Sequence, residues 1–200
     1  MTWVNPSFGG ACYANNSHVS QEELVQMRPL PLLIAAAFVL GVTPVMAQGA
    51  LQVPQSIRLQ HEQIISRLDH FAQSKDNELA VAAQKATAFL KEHYAREEQF
   101  VLAPLGLLPR IAGGEVSKDM EPAIAMADRT KSALPDFEDD HVKITSLMND
   151  LMEVGKKKKD EELVRLATRV AAQSLNDIEV NQPTTILIGD YLRLRLSRTN

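Results

Sequence analysis

The sequence predicts an all-α protein: an up-down-up-down four-helix bundle with a short C-terminal helical extension. Apolar residues recur at helical spacing through four long segments. The connections between these segments are short, as they are in bundles of this topology. No stretch alternates with period two for long enough to form a sheet, and only 5% of the residues are aromatic. Packing of helices against one another is therefore the expected basis of the core.

The first two helices are delimited by capping residues and by proline. Ser56 can cap a first helix, and Asp76 or Asn77 can cap a second helix after a polar break. The second helix should end near Pro104, because proline removes a backbone donor and clashes with the preceding turn. Leu107 to Gly114 then reads as a short connection with a glycine hinge.

The second half of the chain contains two further helical regions. The third begins near Asp119 and should end at Gly155, and Pro135 within it either kinks one long helix or starts a second piece. The fourth runs from Glu161 to Pro183. An apolar segment, 186–196, then forms the C-terminal extension.

The N-terminal part of the chain has the pattern of an export signal. Arg28 precedes an apolar run, 30–42, which is too short for a comfortable membrane span, and small or compact residues allow cleavage after Ala47. A retained signal anchor is the alternative interpretation of this run. Because the polar residues before Met27 are unusual for a secretory protein, we expect translation to start at Met27. The expected organisation is a non-native or disordered extension (1–26), a signal peptide (27–47) and the bundle (48–200) of a periplasmic or secreted protein.

Charge and cysteine content exclude several classes of function. A formal charge of −4 gives no electrostatic basis for nucleic-acid binding. The lysine run 156–159 is followed at once by acidic residues, so we interpret it as a solvated connection between two helices. The only cysteine, Cys12, precedes the expected cleavage site. The mature chain would therefore have no disulfide, thiolate metal site or catalytic cysteine.

Histidines on three helices are candidate metal ligands. His93 and Glu97 are four residues apart, so they share one helix face. Alone, such a pair is more often a weak surface contact. His61 and His141, however, also lie on the apolar faces of their helices, and buried histidines need partners. In the fourth helix, Gln173-x-x-x-Asp177 followed by proline faintly echoes the His93 segment.

These residues together resemble the hemerythrin-like (HHE cation-binding) family. The resemblance covers about 56–196 and is densest at His61-Glu62, 93–98, 104–108, Asp140-His141-x-x-Ile144 and 179–191. It implies a bundle that holds non-haem iron bridged by carboxylates of the second and fourth helices. The resemblance matches family ligands to His61, His93, Glu97 and His141, the bridging carboxylate to Asp177, and the fourth-helix histidine to Gln173. Phe137 stands where the founding oxygen carriers have one more histidine.

The resemblance implies an uneven iron site. One position keeps His61, His93, Glu97 and Asp177, whereas the other keeps His141, shares the bridging carboxylates and gains only a weaker amide ligand from Gln173. We therefore expect one or two iron ions, in a mononuclear or asymmetric site, and a protein that binds or senses dioxygen, iron or a related small ligand rather than an enzyme. The alternative is a metal-free helical bundle that acts as an interaction or stress-related module. A ferritin-like oxidase is disfavoured, since Glu138-x-x-His141 is a single E-x-x-H where that site needs two.

Overall fold

The computed structural model describes residues 51–198, and these form helices and connecting turns with no strand among them. The all-α class is confirmed. The expected extension, the signal segment and Cys12 lie outside the described residues. The α-helices are α1 Gln55–Ala72, α2 Asn77–Arg96, α3 Leu108–Ala112, α4 Pro122–Ser132, α5 Leu134–Lys158, α6 Glu161–Asn176 and α7 Gln182–Leu196. Two π-helical turns, Glu97–Val101 and Asp177–Asn181, extend α2 and α6, and two short 3-10 helices span Ala103–Leu107 and Lys118–Met120.

The helices pack in two groups. Helix α1 packs against α2, α2 against α5 and α5 against α6, while α4 packs mainly against α7. The buried apolar residues form two clusters, and α2 with its π turn and α5 contribute to both. The first cluster includes Leu68, Leu90, Met148 and Leu166. The second includes Phe100, Met120, Phe137 and Leu192. Among residues 51–198, no helix combines the length and the apolar character needed to cross a bilayer.

The predicted ligands lie between the two apolar clusters. Along each long helix, the candidate ligands lie between one apolar residue that belongs to the first cluster and another that belongs to, or packs against, the second cluster. These flanking pairs are Ile64 and Ile57 on α1, Leu90 and Phe100 along α2, Ile144 and Phe137 on α5, and Val170 and Ile188 along α6 and α7. The candidate ligands therefore form a polar layer that is enclosed by apolar packing on two sides.

The predicted start of α2 is confirmed and that of α1 is wrong. Asp76 caps α2, since its carboxylate accepts a hydrogen bond from the backbone N–H of Leu79 at 3.2 Å. Helix α1 begins at Gln55, so Ser56 is already inside it, and Pro54 precedes the helix without a side-chain cap. The backbone carbonyl of Pro54 accepts the first helical hydrogen bonds instead.

The two interpretations left open at Pro135 are resolved in favour of a separate helix. Helix α5 starts at Leu134, and Pro135 occupies its first turn, where a missing N–H is tolerated. The predicted end at Gly155 is wrong, because α5 continues to Lys158 and ends with Lys159 in the left-handed region at φ 56°. Gly155 is buried, and a Cβ there would approach Val164 Cγ2 to 2.8 Å, so this glycine allows α5 and α6 to pack closely.

The first three residues of the lysine run, 156–158, are therefore in a helix rather than in a loop, and Lys159 ends that helix. Lys157 pairs with Glu78 at 2.8 Å, and Lys158 pairs with Asp76, which joins the end of α5 to the start of α2. Cations at a helix C-terminus and acids at a helix N-terminus both interact favourably with the helix dipoles. The connection 107–114 likewise contains the short helix α3.

The C-terminal helix is longer than predicted, packs against α4 and hydrogen-bonds to the first π turn. Helix α7 begins at Gln182 rather than near Ile186, and Gly189 lets it approach α4, since a Cβ there would lie 2.2 Å from that of Ala127. Two buried hydroxyls from these helices bind carbonyls of the first π turn. Thr130 Oγ1 donates to the Phe100 carbonyl at 3.2 Å, and Thr185 Oγ1 donates to that of Val101.

Replacing Thr185 with valine is expected to destabilise the protein by about 1–2 kcal/mol, because the buried carbonyl of Val101 loses its side-chain donor. Urea unfolding measures this change. Thr185→Ser keeps the hydroxyl and should recover most of the loss. Thr168→Val on the exposed face of α6 is the matched control. Its hydroxyl donates to the Val164 carbonyl of its own helix and contacts Met152 Sδ, a weak acceptor, at 3.5 Å, so this change should alter stability little. Equal losses in the two valine variants would contradict this role.

Candidate metal centre

The two π turns mark the centre of the polar layer. One begins at Glu97 and the other at Asp177, which are the two carboxylates predicted as ligands. Their first carbonyls accept backbone hydrogen bonds from Leu102 and Gln182, five residues further on. Single π turns inside helices occur frequently at functional sites. The faint sequence echo between the second and fourth helices therefore corresponds to the same backbone feature in both.

Three of the predicted ligands lie close enough to hold one ion. The ligand atoms of His93, Glu97 and His141 all lie within 4.8 Å of one another, and all three residues are buried. Glu97 Oε1 is 3.4 Å from His93 Nε2 and 3.9 Å from His141 Nε2. Ligands on opposite sides of an ion with bonds of about 2.0–2.2 Å are at most about 4.4 Å apart. A contraction of a few tenths of an ångström would let all three atoms bind a single ion.

Each histidine has its outer nitrogen held by an oxygen from the following long helix or the turn that extends it. The Nδ1 atoms of His61, His93 and His141 lie 2.8, 2.9 and 2.7 Å from Glu98 Oε1, Asp140 Oδ2 and Ser174 Oγ, respectively. A carboxylate accepts hydrogen bonds, so Nδ1 of His61 and of His93 is the protonated nitrogen. Nε2 of each ring then carries the lone pair. This arrangement, in which an outer oxygen fixes the tautomer, is the usual one for histidines that bind metals.

The polar layer contains buried nitrogen and oxygen atoms that carry a free lone pair and have no hydrogen-bond partner. Among residues 51–198, the buried side-chain nitrogen and oxygen atoms without such a partner are His61 Nε2, His93 Nε2 and both carboxylate oxygens of Glu97. Buried polar groups are nearly always satisfied, and each exception needs an explanation. These four atoms are all electron-pair donors of the kind that binds a divalent cation.

Burial keeps two of the rings in the form that binds metals. Burial lowers the pKa of His141 to about 4, with a smaller effect from His93. Burial also lowers the pKa of His61, against the opposing hydrogen bond from Glu98. Both rings are therefore neutral at pH 7, and a neutral imidazole is the species that coordinates a metal ion.

The remaining predicted ligands surround this group without belonging to it. The ring of His61 stacks on Tyr94 with 3.7 Å between centroids, and the Tyr94 hydroxyl donates to Gln173 Oε1 at 3.5 Å. Asp177 is 2% exposed and accepts a hydrogen bond from Asn181 at 2.5 Å. Burial, and then the charge of Glu97, raises the pKa of Asp177 to about 7. Asp177 therefore ionises less readily than an ordinary aspartate does.

Four residues of the centre were not predicted from the sequence. They are Glu98, Asp140 and Ser174, which hold the outer nitrogens, and Gln182, whose Nε2 lies 3.1 Å from His141 Nε2. The first three each adjoin a predicted ligand in sequence. A helical neighbour points about 100° away, so it faces the adjacent helix rather than the ion. Adjacency to a predicted ligand could therefore have identified Glu98, Asp140 and Ser174. No comparable sequence feature points to Gln182, apart from its position before Pro183.

Comparisons with protein-family models, with curated proteins and with solved structures found no match to this chain. The hemerythrin-like resemblance therefore rests on this chain's own residues. What the geometry provides is a buried group of two imidazoles and one carboxylate, flanked by a third imidazole and a second carboxyl group.

Proposed function

We propose that this chain is a hemerythrin-like metal-binding protein. In this proposal, α1, α2, α5 and α6 form the up-down-up-down bundle, and α7 is its helical extension. The main support is the group of unpaired donors: two imidazole nitrogens and two carboxylate oxygens are buried in one layer without partners. A cation held by His93, Glu97 and His141 would pair with the unpaired atoms of His93 and Glu97, and His61 Nε2 would be a further donor beside it. An apolar or fully hydrogen-bonded core would leave no such atoms.

The donor set favours a non-haem ion such as Fe(II). Neutral imidazoles with carboxylates suit Fe(II), Mn(II) and Zn(II), and residues 51–198 include no cysteine that would favour softer ions. His93, Glu97 and His141 would bind the ion directly, while His61 and Asp177 supply further donors beside it. Phe137 and Gln173 supply no strong ligand for a second ion, so we propose one ion per chain in an asymmetric site.

Such a site fits binding or sensing of dioxygen, iron or a related small ligand better than turnover of a large substrate. Every proposed ligand is buried, so only a small molecule could reach the ion without major opening. The segment 27–47 would direct export, so the protein would act in the periplasm or outside the cell.

Metal content and the optical spectrum after anaerobic reconstitution with Fe(II) test the proposal. We expect one iron per wild-type chain, and loss of both iron and metal-dependent thermal stability in His93→Ala, because metal-binding energy contributes to folding stability. His70→Ala on the exposed face of α1 is the matched control and should keep both properties.

Other outcomes would contradict parts of this proposal. Two irons per chain would refute the single-ion version, and full iron content in His93→Ala would exclude His93 as a ligand. Wild-type protein that binds no metal, with a melting temperature unchanged by chelator, would support the metal-free interaction module instead.

A further inference from the structure

The two π turns differ at one equivalent buried position. Leu102 follows the first π turn and Gln182 follows the second, and each donates its backbone N–H to the carbonyl that opens its turn. Leu102 is 0% exposed and Gln182 is 1% exposed. Burying an amide where leucine is accommodated costs free energy unless the amide is hydrogen-bonded. A polar side chain at this position therefore requires a specific partner.

The partner of Gln182 is the histidine lone pair that would bind the metal. An amide nitrogen can only donate, so its contact with His141 Nε2 at 3.1 Å makes that ring nitrogen the acceptor. The Nδ1 of the same ring must then carry the proton and donate to Ser174 Oγ at 2.7 Å. His141 thus has both nitrogens engaged, whereas Nε2 of His61 and of His93 is unpaired.

We propose that Gln182 competes with the metal ion for His141 and thereby weakens the centre's hold on its ion. This inference rests on the proposed metal-binding function and concerns how tightly the same site binds. For His141 to coordinate, the Gln182 amide must release its lone pair. The free energy of that hydrogen bond is then subtracted from the free energy of metal binding. The residue would favour reversible, exchangeable binding over permanent retention of the ion.

Titration with Co(II), followed by its visible absorption bands, tests the inference on the folded chain. Gln182→Met has nearly the same shape without an N–H donor. Loss of one ordinary hydrogen bond should tighten Co(II) binding by about three- to tenfold. Leu102→Met puts the same side chain at the equivalent position of the other π turn, and it should leave the affinity unchanged. A dissociation constant for Gln182→Met equal to or weaker than wild type would overturn the inference.

A double-mutant cycle with His141→Ala separates competition from a packing effect. If Gln182 acts through His141, the gain from Gln182→Met disappears when His141 is already alanine. A gain of equal size in both backgrounds would mean that methionine acts by packing, and would refute the competition. Wild-type protein that binds no Co(II) would refute the proposed function itself. Binding by the wild type with no gain in Gln182→Met would refute only the role of Gln182.

Discussion

Glu97→Gln is expected to stabilise the metal-free protein and to abolish stabilisation by metal. The carboxylate is 0% exposed and neither oxygen has a hydrogen-bond partner, so it is costly to bury without an ion. A neutral amide of the same shape removes this cost and can donate to His93 Nε2. We expect the metal-free variant to gain about 1–3 kcal/mol in the free energy of unfolding. Loss of the central ligand should cancel the metal-induced gain, which for wild type is about 2.7 kcal/mol at a hundredfold excess over Kd.

The measurement is urea unfolding of both proteins, with chelator and with Fe(II) under anaerobic conditions. Glu92→Gln makes the same change on the exposed face of α2, so it should alter neither state. The sign of the effect is the critical result. A metal-free Glu97→Gln protein that is less stable than wild type would mean that the carboxylate is satisfied without an ion.

The helices were predictable from the sequence because each buries one continuous apolar stripe. The spacing of Ile64, Leu68 and Phe71 requires a helix, and all three are buried in α1. Helix ends were less predictable where tertiary contacts decide them. Glycine often follows the end of a helix, but Gly155 lies inside α5, where its lack of a side chain allows α5 to pack closely against α6. Pro135 was ambiguous because proline in a first turn and proline at a kink look the same in sequence.

The π turns could not be predicted from the sequence, because the hydrogen bonds that hold the first of them come from residues distant in sequence. The carbonyl groups of Phe100 and Val101 are satisfied by Thr130 and Thr185, which come from α4 and α7. Neither threonine belongs to a local pattern that includes the turn. The repeat of His93-x-x-x-Glu97 as Gln173-x-x-x-Asp177 hinted at the relation between the two turns without giving their backbone form.

The candidate ligands could be chosen from the sequence, but their grouping could not. Helical spacing puts His61, His93 and His141 on buried faces, as the structure has them. The family resemblance assigned His93 and His141 to two ion positions that share the bridging carboxylates. In the structure Nε2 of both rings lies within 3.9 Å of the same oxygen, Glu97 Oε1, a closeness that helical spacing alone could not give. Relative heights of residues on different helices depend on loop lengths and crossing geometry. A one-turn difference moves a ligand by about 5.4 Å, more than the span of the site.

Asp177→Asn should change the pH dependence of stability in the metal-free protein. The pKa of Asp177 is raised from 3.8 to about 7 in the folded chain. The unfolded chain therefore loses this proton near pH 4, while the folded chain keeps it until about pH 7. Between these values the folded state binds more protons, so wild type loses stability as pH rises. Asparagine cannot ionise, so the variant avoids this loss and should become more stable than wild type, by up to a few kcal/mol above pH 7.

Urea unfolding with chelator from pH 4 to 8 gives the difference between the two proteins directly. The lowered pKa values of His61 and His141 have the opposite effect: they make stability rise with pH up to about 6.5. Both proteins contain these histidines, so their contribution largely cancels in the difference. Asp150→Asn makes the same substitution at an exposed site on α5 and is the matched control. If the difference for Asp177→Asn does not change with pH, the pKa of Asp177 is not raised in the folded chain. With Fe(II) present the sign should reverse, because the variant loses a carboxylate donor beside the ion.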